Sequence, residues 1–168
     1  YIWPIFEGYV SKYIDYPNSH LELIKYAVGN SNEDKIWYRS IWDRPVDGVI
    51  QPVGPSGTLN KPTGHLGVYS FVSFYETIIK CIKLDDWFKN QNIDYIDFAW
   101  TDVNGAEREL IEGGKNVFNN YTKYLQLECH NIQLWENQTS KEQLIEMLPN
   151  FELIEEDGIN LIFKNKFI

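Results

Sequence analysis

Asp102, Asn104, Gly105 and Glu107 fall within "IDFAWTDVNGAEREL" (96–110), where an apolar run breaks on acid, Asn and Gly before a helix-like pattern begins. Open α/β sheets bind ligands at such seams, outside the carboxyl ends of their strands. Asp102 can bind a cation, take a proton or accept hydrogen bonds from a ligand there. It can equally cap the helix that follows. Glu107 falls in the first helical turn, where the helix dipole favours a carboxylate in any case. Glu128 and His130 close "TKYLQLECH" (122–130) and emerge beside Asp102 if the two strands are neighbours. Two carboxylates and an imidazole at adjacent strand ends suit general acid–base chemistry or a metal. Their spacing is too loose to specify a metal, and none is assigned. His65, in the Ser/Thr/Gly-rich loop "SGTLNKPTGHL" (56–66), is a further candidate for contact with a ligand.

The elements that must position these groups alternate between strand and helix. "HLELIKYAVG" (20–29), "DKIWYRSIW" (34–42) and "ETIIKCIKL" (76–84) carry strand patterns, and "LDDWFKNQ" (84–91) reads as a short helix capped by Asp85. "IDYIDFAWT" (93–101) ends almost continuously apolar, as a strand buried on both faces does. A helix face follows over 105–118. Thr139 with Glu142 suggests a capping box for the helix at 139–148. "FELIEEDGINLIFKN" (151–165) reads as two strands about Asp157–Gly158, a hairpin signal. Residues 43–70 carry four prolines and several glycines and read as a long irregular loop, of the length that is usually functional. The fold class is α/β, in a single domain over 1–168.

Composition removes several function classes. The 168 residues are 43% hydrophobic and 23% charged, as in a folded globular domain. The net charge of −9 opposes a general affinity for nucleic acid or anionic membrane. No apolar run approaches the roughly 18 residues of a membrane span, and no leader pattern is visible. Cys81 and Cys129 share no ligand spacing and point to a reducing, cytoplasmic setting. Neither a G-x-x-x-x-G-K-[ST] loop nor a G-x-G-x-x-G loop occurs, so spacing alone identifies no cofactor.

"IDFAWTDVNGAERELIEGG" followed by "TKYLQLECHNIQLWENQTSKEQLIEMLPNFELIEE" resembles the carboxyl-terminal half of FkbM-type S-adenosylmethionine-dependent methyltransferases. "KYAVGN" (25–30), "IKLDDWF" (82–88) and "KPTGHL" (61–66) resemble further elements of that family, in order. The resemblance implies a Rossmann-like methyltransferase sheet, mostly parallel, with a C-terminal antiparallel hairpin. It also implies S-adenosylmethionine as cofactor and O-methylation of a hydroxyl on a sugar or natural product. The family's glycine-rich first motif has no counterpart here, so the first strand is expected to be missing from a longer native chain. "WPIFEGY" (3–9) resembles the next strand, which makes Glu7 the candidate for the cofactor ribose. By the same resemblance Ala27 and Val28 lie near the adenine, and Thr101 lies near the methyl donor. Asp102, Glu128 and His130 become the candidate bases, with His65 and Glu107 on the acceptor side.

Two other classes remain open: a non-catalytic Rossmann-like remnant acting as an interaction domain, and a metal-dependent hydrolase built on Asp102, Glu128 and His130. The partner expected of the enzyme is a small molecule or glycan, with no nucleic acid and no membrane. A central slot without its strand would also leave unpaired edges through which the chain could self-associate.

Overall fold

A computed structural model describes residues 22–46, 49–51 and 56–168, and Glu7 lies outside them. In chain order these form β1 (Ala27–Val28), β2 (Asp34–Val46), β3 (Val49–Gln51), α1 (His65–Val68), β4 (Val72–Ile82) and α2 (Leu84–Phe88). There follow β5 (Ile96–Trp100), α3 (Glu107–Gly113), α4 (Lys115–Tyr121), β6 (Thr122–Glu128), α5 (Lys141–Met147), β7 (Phe151–Asp157) and β8 (Asn160–Asn165). The expected α/β class holds. The strands form two four-stranded sheets, ordered β1-β4-β2-β3 and β5-β6-β8-β7.

Only β1·β4 and β5·β6 pair in parallel among the described residues; the other pairings are antiparallel. A mostly parallel sheet is therefore not what these residues build. The reason lies partly in β2 and β4, which form a long ribbon from Asp34↔Lys80 to Trp42↔Val72. The terminal hairpin is as expected: β7 and β8 pair antiparallel, and Gly158 takes a positive φ of 63° in the turn.

The second sheet carries the core on one face. Leu125 and Leu127 of β6 alternate inward with Leu161 and Phe163 of β8, the two-residue period of a strand. Leu110 and Ile111 of α3, Phe118 of α4 and Leu144 of α5 close over them. The opposite face is open at β5, where Phe98 is 51% and Trp100 72% exposed. This corrects the reading of β5 as a strand buried on both faces, because the helices cover only the side to which Ala99 points.

Four smaller expectations shift. β2 extends into the supposed irregular loop and turns back as β3, and the segment from residue 56 is anchored by the bridges Tyr38↔Thr58 and Pro62↔Trp135. The helix expected over 105–118 is divided at Gly114 into α3 and α4. Asp85 caps the second of these instead of its own helix, its two carboxylate oxygens accepting from the amides of Asn116 (3.0 Å) and Val117 (2.9 Å). The capping box of α5 sits one residue later than expected. Ser140 Oγ accepts from Gln143 N (3.3 Å), and Gln143 Oε1 accepts from Ser140 N (3.0 Å). No helix among the described residues is long and apolar enough to cross a membrane.

Candidate active site

β5 and β6 run side by side and in parallel, with Trp100 opposite Gln126, so their carboxyl ends open at the same place. Thr101 fixes that end: its amide (3.2 Å) and its Oγ1 (2.7 Å) both donate to the Gln126 carbonyl. Beyond it the chain makes a tight turn through Asn104 (φ 51°) and Gly105 (φ 92°) before entering α3. A Cβ on Gly105 would lie 2.8 Å from the Trp135 ring, so both the conformation and the contact require glycine. Asp102 does not cap α3, whose N-cap is Ala106 and which has no side-chain cap. Its carboxylate accepts from Asn104 Nδ2 at 3.0 Å.

The turn is held from two sides. Thr58 Oγ1 donates to the Asn104 carbonyl (2.7 Å) and Asn60 Nδ2 to the Gly105 carbonyl (2.6 Å). From beneath, Glu107 accepts from the Gly105 amide at 3.0 Å while only 4% exposed. Burial, with smaller contributions from the Glu109 and Glu128 charges, raises the Glu107 carboxyl to about 7 despite the amides that stabilise its anion.

Past β6, the segment from His130 to Trp135 is wrapped round one side chain. Gln138 Oε1 accepts from the amides of Leu134 (2.9 Å) and Trp135 (3.4 Å), and its Nε2 donates to the carbonyls of His130 (3.0 Å) and Ile132 (2.9 Å). The Leu134 carbonyl in turn accepts from Thr63, Gly64 and His65, which docks the start of α1. His65 is thereby buried among aromatic rings, 4.9 Å from Tyr69, 5.1 Å from Phe74 and 5.6 Å from Trp135 between centroids.

These pieces enclose a cavity of about 250 Å³. Asp102, Glu128, His130 and His65 all line it, together with Tyr69, Phe71, Leu134 and Trp135. His130 Nε2 lies 4.0 Å from Glu128 Oε2, and its ring stands edge-on to Trp135 at 5.3 Å. Burial lowers the His130 pKa, with the Asp102 charge opposing, and burial followed by His130 lowers that of His65. Burial raises Asp102 and Glu128, the latter also through repulsion from Asp102. Burial thus disfavours the charged form of the imidazoles and of the carboxylates alike, while the Asp102 charge favours a cationic His130. No three His, Cys, Asp or Glu side chains among the described residues are grouped so that they could hold a metal ion.

The other sequence candidates lie apart from the cavity wall. Thr101 bonds to β6, Glu107 supports the turn from below, and Ala27 and Val28 pair with Cys81 and Ile82 of β4. The aromatic wall was missed. Its only signal was the density of rings in "GVYSFVSF" (67–74) and in "LWE" (134–136).

The methyltransferase FkbM domain family matches residues 6–156. The chain belongs to this family. The 2-O-methyltransferase NoeI of Sinorhizobium fredii (strain NBRC 101917 / NGR234) is 34% identical over 109 residues, which are 64% of this chain and 44% of that protein. The chain therefore spans less than half the length of the curated relative it matches. No solved structure matches it. Membership supports methyltransferase chemistry. The residues named from the resemblance as bases, Asp102, Glu128 and His130, are those that share the cavity.

Proposed function

We propose that the protein is an S-adenosylmethionine-dependent O-methyltransferase of a single Rossmann-like domain, acting on a hydroxyl of a sugar or natural product. The observation that carries this reading is the meeting of Asp102, Glu128 and His130 at one cavity, at the carboxyl ends of parallel strands, in a chain of the FkbM family. The order β5-β6-β8-β7 with its terminal hairpin is compatible with the Rossmann-like sheet. The 2-O-methyltransferase name of the relative supports oxygen as the acceptor atom.

The donor set fits the cationic end of the cofactor: the carboxylates of Asp102 and Glu128, lining one cavity, suit a sulfonium. Asp102 and Glu128 would hold that end, and Glu7, Ala27, Val28 and Thr101 are our candidates for the nucleoside end and its approach. When bound, the cofactor supplies a methyl group activated on sulfur. The cavity falls below the roughly 300–1,000 Å³ of pockets that enclose drug-sized ligands, so it takes one reacting end and not the whole assembly.

The protein's part is proton transfer and orientation. Neutral His130 accepts the acceptor's hydroxyl proton as the oxygen becomes nucleophilic. The imidazolium so formed would have the Glu128 carboxylate 4.0 Å away and the Asp102 charge, which raises the His130 pKa, to favour it. His65 and the aromatic wall hold the acceptor ring, with Glu107 supporting the turn that carries Asp102.

The test is calorimetric titration with S-adenosylhomocysteine, together with transfer of labelled methyl from S-adenosylmethionine to simple methyl glycosides, for the wild type and His130→Gln. The expected result is binding by both proteins and transfer by the wild type only. A protein that binds no S-adenosylhomocysteine and transfers no methyl group is instead the non-catalytic interaction domain.

A further inference from the structure

Resting on the O-methyltransferase reading, we propose that this cavity selects an uncharged, hydroxyl-bearing ring and rejects acceptors whose ring carries a carboxylate or phosphate. The lining supplies two carboxylates, Asp102 and Glu128, and no Lys or Arg among the described residues. Sites built for carboxylate or phosphate present Arg, Lys or free amides at a helix start. The start of α1, where His65 joins the cavity wall, is already taken. The amides of Thr63, Gly64 and His65 all donate to the Leu134 carbonyl, at 3.1, 3.0 and 3.1 Å.

The two imidazoles do not replace the missing cations. Both rings stand against Trp135, and burial lowers the two pKa values, which disfavours the imidazolium in each. Burial and then the Asp102 charge raise the Glu128 carboxyl, as expected of two carboxylates that line one cavity. A charged acceptor would bring a third. Its anion would also lose its hydration against Tyr69, Phe71 and Trp135, surfaces that suit the apolar face of a ring.

The experiment compares methyl glucoside with methyl glucuronide, which differ only in CH₂OH against carboxylate at C6. Labelled methyl transfer is measured at pH 7.5, and saturation-transfer NMR is recorded for each sugar in the presence of S-adenosylhomocysteine. The expected preference for the glucoside is about 100-fold in kcat/KM, the scale of placing like charges together. A Phe71→Lys variant, changed on the wall and not at the base, should narrow that preference. Equal use of the two sugars by the wild type overturns the selection and leaves O-methylation standing. A folded Phe71→Lys protein with unchanged preference also overturns it, because the cavity charge would not be its cause. Transfer to neither sugar, with saturation transfer from neither, removes the sugar reading and the selection with it.

Discussion

His130 Nε2 faces Glu128 Oε2 across 4.0 Å, too far for a direct hydrogen bond and near enough for the carboxylate to stabilise an imidazolium. A base at rest is neutral and needs its counter-charge only once it takes a proton, so this spacing suits proton abstraction. His130→Gln should lower kcat by about 10²–10⁴-fold, the usual contribution of a positioned base. Glu128→Gln should lower it less, and should weaken binding of the cationic cofactor more than that of uncharged S-adenosylhomocysteine. Rates of labelled methyl transfer check both, and a fully active His130→Gln protein would assign the base elsewhere.

The pH profile follows from the same group. Burial lowers the His130 pKa from 6.5 and the Asp102 charge partly restores it. The acid limb of kcat/KM should therefore have its midpoint below 6.5, with a plateau through neutral pH. Asp102→Asn removes the restoring charge, so the limb should move to lower pH while the plateau rate falls. A shift to higher pH in that variant would contradict the assignment of His130 as the titrating base.

Glu107 gives a stability prediction with a definite sign. Its carboxyl is raised from 4.5 to about 7 by burial, so the folded state holds its proton more tightly than the unfolded chain. Stability from this group is fully present below pH 4.5 and is lost as the pH rises through 7. The shift corresponds to roughly 3 kcal/mol at most. Glu107→Gln should match the wild type near pH 4.5 and exceed its stability at pH 8 by up to that amount. Urea unfolding at the two pH values measures the difference directly, and taking it between two proteins cancels the opposite contributions of His65 and His130. An identical difference at both pH values would mean that Glu107 does not titrate in this window.

The sequence anticipated the meeting of Asp102, Glu128 and His130 better than the scaffold around them. Asp102, Glu128 and His130 were legible because each ends or follows a strand, and adjacent parallel strands bring such ends together whatever the loops do. His65 was legible only as a polar residue in a glycine-rich loop; its burial depends on the Leu134 carbonyl 69 residues away, which no local pattern records. Asp85 shows the same limit. Aspartate near a helix start predicts a local cap, but its partners are Asn116 and Val117 of another helix. β5 was misjudged for a related reason. An apolar run says that the residues tolerate burial, whereas the exposure of Trp100 is decided by what packs over it.

Gly105→Ala should be destabilising through two separable causes. A φ of 92° costs a residue with a Cβ about 1–3 kcal/mol, and the new Cβ would also press on the Trp135 ring at 2.8 Å. Gly158→Ala serves as the control, since its φ is 63° but nothing lies within 4 Å of the added carbon. The loss at Gly105 should exceed the loss at Gly158. Because Trp135 lines the cavity, only the Gly105 variant should also lose acceptor affinity. Equal losses in urea unfolding would mean that Trp135 yields freely.

Gln138 never touches the cavity, yet it fixes two of its walls by accepting from Leu134 and Trp135 and donating to His130 and Ile132. Net contributions of about 0.5–1.5 kcal/mol per hydrogen bond make Gln138→Ala costly by about 2 kcal/mol or more. The informative variant is Gln138→Glu, which keeps shape and both acceptor bonds but replaces the donating amide with a second oxygen. That oxygen would face the carbonyls of His130 and Ile132 with no proton between them at neutral pH. Gln138→Glu should therefore be no more stable than Gln138→Ala at pH 7.5 and should regain stability as the carboxyl protonates at lower pH. His130 loses its place in both variants, so kcat should fall with them while affinity for S-adenosylhomocysteine changes little. Thermal unfolding across pH, set beside methyl-transfer rates, measures each effect. A Gln138→Glu protein as stable and active as the wild type at pH 7.5 would show that the two donated bonds do not hold the segment that carries His130.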